Sequence, residues 1–252
     1  MQKTSSQPKK VLIVGANSAI AQEVARIYAA QGCELFLIAR DEGRLSVAVS
    51  DLKVRGAAKV AYGVLDVNNA QMIEPAINAA ISELGRIDVA LIAHGSLPDQ
   101  KACEESSELT LREIHINGTS PIMILFALSK QFMRQGEGTI VAISSVAGDR
   151  GRSSNYVYGT AKAMLSTYLQ GLRGHLYEHN VHVIDVKPGF VDTPMTAQFK
   201  KGALWATPQQ VAGIIVKSVE KKKHTVYAPF FWRFIMIIIR AIPDAIFKKL
   251  KF

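Results

Sequence analysis

Short apolar runs alternate along this chain with longer segments whose apolar residues recur every three or four positions. The runs cover residues 11–14, 34–39, 60–65, 87–93, 139–144 and 181–187, and each is rich in Val, Ile, Leu or Ala. Strands buried on both faces read this way, because no solvent face imposes an apolar–polar alternation. Segments 19–31, 69–84 and 157–175 carry the helical spacing between them. Strand–helix alternation predicts an α/β fold, a parallel sheet with helices on both sides. Right-handed crossovers then favour a Rossmann-like, doubly wound topology. No linker splits the chain, so the reading is one domain over residues 1–228. Residues 229–252 form an apolar, basic and helical C-terminal appendage.

Composition narrows the class. The chain has 252 residues, enough to bury a core without covalent staples. Its two cysteines, Cys33 and Cys103, are far apart in sequence; they give neither a disulfide scaffold nor a zinc site and fit a reducing compartment. The six histidines show no His-Glu-x-x-His pairing, and no metal is expected. The polar first ten residues, with three lysines and Pro8, lack a signal-peptide core and read as a disordered leader on a cytoplasmic protein.

The formal charge of +9 is concentrated at one end. Residues 217–252 hold nine Lys or Arg against Glu220 and Asp244, a net +7. Nucleic acid does not explain the six consecutive apolar residues 234–239 in that region. Aromatic and apolar residues interleaved with Arg233, Arg240, Lys248, Lys249 and Lys251 match a helix lying in a membrane surface. The run is shorter than the roughly 20 residues that span a bilayer. Peripheral contact with the inner face of the cytoplasmic membrane is one expectation. A tail packed over a substrate cleft or against a dimer partner is the other.

Two stretches carry candidate chemistry. Val14-Gly15-Ala16-Asn17-Ser18-Ala19-Ile20-Ala21 follows the first strand and opens the first helix. Free N–H groups and the positive helix end there suit a pyrophosphate, although Ala19 and Ala21 stand where two further glycines are usual. Arg40 ends the second strand, where an arginine suits a 2′-phosphate and an acid would suit a 2′-hydroxyl; this favours NADP(H), with a plain surface charge as the alternative. Asp66 ends the third strand, as an adenine partner or as a turn residue. His94-Gly95 follows the fourth, where glycine lets backbone approach a ribose.

The second stretch is Tyr158-Gly159-Thr160-Ala161-Lys162, with Ser144-Ser145 upstream. Residues four apart share a helix face. The ammonium is expected to lower the tyrosine pKa and make Tyr158 a general acid or base. Ser145 would polarise a carbonyl oxygen from the other side. Asn117 falls mid-helix, either holding a water that relays protons to Lys162 or marking a bend.

These stations resemble the short-chain dehydrogenase/reductase family up to about residue 228. The matches are the Gly15 turn, Asp66, the Asn117 helix, Ile143-Ser144-Ser145-Val146-Ala147-Gly148, Tyr158 with Lys162, and Lys187-Pro188-Gly189-Phe190-Val191-Asp192-Thr193. The family places its serine thirteen residues before the tyrosine, which selects Ser145. The resemblance implies a catalytic tetrad of Asn117, Ser145, Tyr158 and Lys162. It implies cofactor contacts at Gly15, Asn17, Ser18, Ala19, Ile20, Arg40, Asp66, Val67, Ala93, His94, Gly95, Tyr158, Lys162, Pro188, Gly189, Val191 and Thr193. It also implies a homodimer built on the helices of Asn117 and Tyr158. Ala93-His94-Gly95 and the Gly15 turn depart from the family pattern and bear on fine cofactor geometry.

The expected activity is NADP(H)-dependent reduction of a ketone, on a small-molecule or lipid-linked substrate. The Gly15 turn, Ala93-His94-Gly95, residues 187–195 and the tail look similar to decaprenylphosphoryl-2-keto-erythro-pentose reductases, which act on a polyprenyl-phosphate keto-pentose. A 3-oxoacyl or other lipid-ketone reductase is the alternative within enzymes. A non-catalytic NADP-binding regulatory module is the alternative outside them.

Overall fold

The computed structural model describes residues 7–250. The first six positions of the polar leader, and Lys251 of the basic tail, lie outside the described residues. The strands are β1 (Lys10–Val14), β2 (Glu34–Ala39), β3 (Lys59–Val64), β4 (Val89–Ile92), β5 (Gly138–Ile143), β6 (Val181–Pro188), β7 (Phe190–Val191), β8 (Trp205–Ala206) and β9 (Thr225–Ala228). The helices are α1 (Ala19–Ala30), α2 (Glu42–Val54), α3 (Ile73–Leu84), α4 (Gln100–Glu105), α5 (Ser107–Ile114), α6 (Ser120–Gln135), α7 (Tyr156–Tyr177), α8 (Pro208–Glu220), α9 (Trp232–Ala241) and α10 (Asp244–Phe247).

Among the described residues, seven strands form one sheet in the order β3-β2-β1-β4-β5-β6-β9. Every pairing in it is parallel, with Val11 opposite both Leu35 and Val89. This is the doubly wound sheet expected. Both faces are buried, which is why the strands read as unbroken apolar runs. Val11, Ile13, Leu35 and Leu37 pack on the face carrying α1 and α8. Leu12, Val14, Phe36 and Ile38 pack on the face of α3, α6 and α7. Edge strand β3 shows the alternation of a half-exposed strand instead.

Each of the six expected strands is present, shifted by at most two residues at an end. The seventh, β9, is a four-residue edge strand with too little apolar length to be read beforehand. Strand order reverses between β1 and β4, and ligands in such sheets bind at that reversal, outside the carboxyl ends of the strands.

The C-terminal segment docks on the body. Trp232 and Met236 are buried on Val146, with Tyr227, Ile235 and Ile239 around them. The apolar run 234–239 is therefore divided by the helix. Met236 faces inward, while Phe234, Ile237 and Ile238 are more than half exposed, at 56%, 56% and 66%. Among the described residues no helix is long and apolar enough to cross a membrane.

Candidate active site

The carboxyl end of β5 and the first turns of α7 bring the chemistry together. Ser145 caps a short turn over Val146–Gly148, and its buried Oγ accepts a hydrogen bond from Ala147 N–H at 3.1 Å. Ser144 points the other way and donates to Asp185 Oδ1, so the two adjacent serines are separated by strand alternation. Lys162 is buried one helical turn beyond Tyr158. Its Nζ donates to Ile143 O at 3.2 Å and stands 5.6 Å from the centre of the Tyr158 ring.

Asn117 lies fully buried in a wide helical turn, His115–Thr119, between α5 and α6. Its Oδ1 accepts from Ser96 N–H at 3.1 Å, and its Nδ2 donates to Ser96 Oγ at 3.0 Å and to Glu113 O at 3.1 Å. The widened turn is the bend that sequence left open beside the water-relay role. Gly95 binds this corner to the lysine. A Cβ there would lie 2.8 Å from Asn117 Oδ1 and 3.4 Å from Lys162 Nζ.

The electrostatics correct one expectation. Desolvation dominates at Tyr158 and pushes its phenol up to about 12, with the Ser145 hydroxyl opposing the rise. Lys162 does not draw the phenol below its ordinary value. Burial instead brings the lysine itself down to about 8, against the pull of Asp185. The pair thus presents a firmly protonated phenol beside an amine that exchanges protons near neutrality.

At the other end of the crevice, Gly15 has φ +82°, and a Cβ on it would come 2.4 Å from His94 N. The glycine is there so that this turn can rest on the Ala93–His94 backbone. Ser18 caps α1 by accepting from Ala21 N–H at 3.2 Å, and Ala19 and Ile20 open the helix behind it. Arg40 is exposed at the end of β2, and Arg44 Nη2 donates to Asn17 O at 3.3 Å. Asp41 caps α2. Asp66 takes the turn role, accepting from Asn68 N–H at 3.0 Å. Val67 O accepts from the His115 ring at 2.9 Å. The His94 ring turns away to Ser120 Oγ at 3.0 Å, and desolvation with the Lys162 charge holds it neutral, down to about 3.

A family model described as short chain dehydrogenase matches residues 9–203. The chain belongs to that family. As a short-chain dehydrogenase it is an oxidoreductase, and the family fold binds a nicotinamide cofactor. It is 31% identical over 250 residues to an uncharacterized oxidoreductase of Mycobacterium tuberculosis, Rv2073c, with 99% of each chain covered. It is 32% identical over 249 residues to an uncharacterized oxidoreductase of Streptomyces coelicolor, covering 98% of this chain and 97% of that one. The fold is similar to that of an actinorhodin polyketide ketoreductase variant crystallised with NADPH, at TM-score 0.79 and 22% identity, over 88% of this chain and 97% of that one. It is also similar to gox2181, at TM-score 0.80 and 21% identity, over 90% and 97%.

This short-chain dehydrogenase has residues that fit a dinucleotide. Asn17 Oδ1 is buried at the opening of α1 with no partner, an acceptor that a hydroxyl of such a ligand would satisfy. Arg40 and Arg44 would meet its adenosine end. Pro188 and Gly189 close β6, and the side of Gly189 where a Cβ would stand is filled by the Trp232 indole, 1.9 Å from that position. Gly189 is thus required by the tail, whatever its backbone offers a cofactor. Val191 and Thr193 follow, with Thr196 Oγ1 donating to Val191 O at 2.6 Å and accepting from Thr193 N–H at 3.1 Å.

Three groups escaped the sequence reading. Glu113 is buried and accepts from Ser96 Oγ behind Asn117; its four-residue offset from Asn117 was the available signal. Lys187, Asp149 and Asp185 form a buried charge cluster, with Lys187 Nζ 2.5 Å from Asp149 and 3.7 Å from Asp185. Tyr227 donates to Asp149 at 2.7 Å. Arg150 secures the tail, donating to Ile239 O and Ile242 O at 2.6 Å and pairing with Asp244 at 2.6 Å. Carbonyls at a helix C-terminus lack partners within the helix, so a guanidinium there binds the segment firmly.

Proposed function

We propose that this short-chain dehydrogenase is an NADPH-dependent ketoreductase whose substrate is lipid-linked, such as a polyprenyl-phosphate keto-pentose. The observation that carries the redox reading is the convergence of Ser145, Tyr158 and Lys162 at the carboxyl ends of β5 and β6. NADPH is preferred over NADH because Arg40 follows β2 and Arg44 stands in the first turn of α2, while Asp41 between them is engaged in capping that helix; the similar ketoreductase fold crystallised with NADPH is consistent with this. When bound, NADPH supplies the hydride that reduces the carbonyl carbon.

The chain's own residues handle the oxygen and its proton. Tyr158, held protonated through neutral pH, donates its proton to the carbonyl oxygen as negative charge develops there. Ser145 Oγ already accepts from Ala147 N–H, so its own O–H is left to donate to that oxygen. Lys162 then stabilises the phenolate and sits close enough to neutrality to return a proton. Gly95 and Asn117 hold the lysine's surroundings in place.

The lipid part of the reading rests on the tail. Phe234, Ile237 and Ile238 form an exposed stripe on α9, continued by Phe230 just ahead of the helix and flanked by Arg233 and Arg240. Apolar side chains with cations beside them suit an anionic bilayer surface, placing the enzyme at the inner face of the cytoplasmic membrane. Pairing of α5–α6 and α7 with a second copy makes it a homodimer.

One experiment on the full chain tests both halves. NADPH consumption is followed with an apolar ketone, and the same sample is floated with phosphatidylglycerol vesicles. Tyr158→Phe is expected to lower kcat by about 10²–10⁴ with NADPH affinity retained. Wild-type protein is expected to float with the vesicles. Turnover by the phenylalanine variant within tenfold of wild type defeats the catalytic assignment, and protein left at the bottom of the gradient defeats the membrane one.

A further inference from the structure

Arg152 lies on the stretch that joins the Ser145 turn to α7, and its donors are poorly used. Its Nε is buried with no hydrogen-bond partner. Its Nη2 reaches the Met236 thioether at 3.6 Å, a weak acceptor. The carboxylate acting on it, Asp149, is already engaged by Lys187 and Tyr227. Burial lowers the Arg152 pKa, so its charge is held at a cost. Arg150, two residues away, is the contrast: its donors are spent on the tail carbonyls and Asp244, and its guanidinium lies 3.7 Å from the centre of the Phe247 ring.

Arg152 lines a cavity of about 570 Å³ between this stretch and the C-terminal segment. Ser153 and Lys248 add a hydroxyl and a second cation to its wall. Ala245, Phe247 and Leu250 make the rest apolar. Asp244 is at the rim with its charge paired to Arg150. A cavity with cations at one side and apolar groups at the other matches an amphiphilic anion.

We propose that this cavity is the subsite for the phosphate of a lipid-linked substrate, with Arg152, Ser153 and Lys248 on the phosphate oxygens and Ala245, Phe247 and Leu250 on the first carbons of its chain. A phosphate takes several N–H donors at once, which a forked guanidinium supplies. Four residues of chain and the start of α7 connect Arg152 to Tyr158, a backbone path of at most about 17 Å. The proposal deepens the ketoreductase reading and rests on it only for the other end of the substrate.

Its test is binding, read by calorimetry on the full chain. The ligands are decyl phosphate below its micelle concentration, decanol, inorganic phosphate and phosphatidylglycerol vesicles. Decyl phosphate is expected to bind at least about tenfold more tightly than decanol or inorganic phosphate. Arg152→Gln is expected to lose about tenfold or more of that affinity. Ala245→Trp, an exposed position whose enlargement fills the cavity, is expected to do the same without unfolding the protein. Equal binding of decanol, equal binding of inorganic phosphate, or wild-type affinity in both variants overturns the subsite. So does a variant that loses vesicle binding while keeping decyl phosphate, because the cation then serves bilayer headgroups. If decyl phosphate binds as expected but no ketone consumes NADPH, the ketoreductase reading fails and the subsite stands.

Discussion

The two ends of the crevice are built on different principles. The nucleotide end, at the tips of β1, β2 and β3, uses backbone shape and exposed side chains. Gly15 makes the turn, Ser18 caps the helix, and Arg40 and Asp66 stand in solvent. The end proposed as catalytic, around the tips of β5 and β6, uses buried polar side chains: Lys162, Asn117, Glu113, Asp149, Asp185 and Lys187. Exposed charges cost little to place and contribute little individually. A buried charge must be matched by its neighbours or it destabilises the fold. Recognition of the nucleotide is therefore open to piecemeal change, whereas the catalytic end depends on the whole surrounding shell, including a tail far away in sequence.

The sharpest way to break this contrast is at the tail. Trp232 is 3% exposed and packs against Gly189 and edge-on to Phe190 at 5.1 Å. Trp232→Ala is expected to cost about 3–5 kcal/mol in a denaturant melt. A loss below 1 kcal/mol means that the tail is not part of the catalytic shell.

An intermediate effect concerns His94. Its folded pKa, about 3, lies below the ordinary histidine value of 6.5. As pH falls, the unfolded chain takes up the proton first, so stability is lost from about 6.5 downward, by about 2 kcal/mol at pH 5. His94→Gln is expected to flatten that part of the stability-versus-pH curve; an unchanged slope shows that another group is responsible.

The smallest effect belongs to the nucleotide end. Arg40→Asp is expected to weaken the kcat/KM for NADPH about tenfold and improve that for NADH, with little change in melting temperature. A variant that loses stability instead would show that this end, too, is structurally committed.

Much of the fold was legible because parallel strands buried on both faces announce themselves as apolar runs. Helix α2 has no such apolar periodicity, since its buried side is only Leu45 and Leu52 against a polar remainder. At the site, Tyr158 and Lys162 were legible from their four-residue spacing on one helix, and Ser145 from the resemblance to the family. Ser96 and the Asp149–Lys187 pair were not, because their partners come from separate elements; Glu113 left only its four-residue offset from Asn117 as a signal.

Local order belongs to sequence alone: the apolar runs, the glycine turn, the four-residue offset of Tyr158 and Lys162, and the two-faced composition of the tail. Backbone periodicity and short-range sterics act between near neighbours, so they can be read along a line. The protonation states, the burial of Trp232 on Gly189 and the under-used guanidinium of Arg152 were decided only in three dimensions. Desolvation and packing depend on which distant segments displace water from a group, and no stretch of chain contains that information by itself.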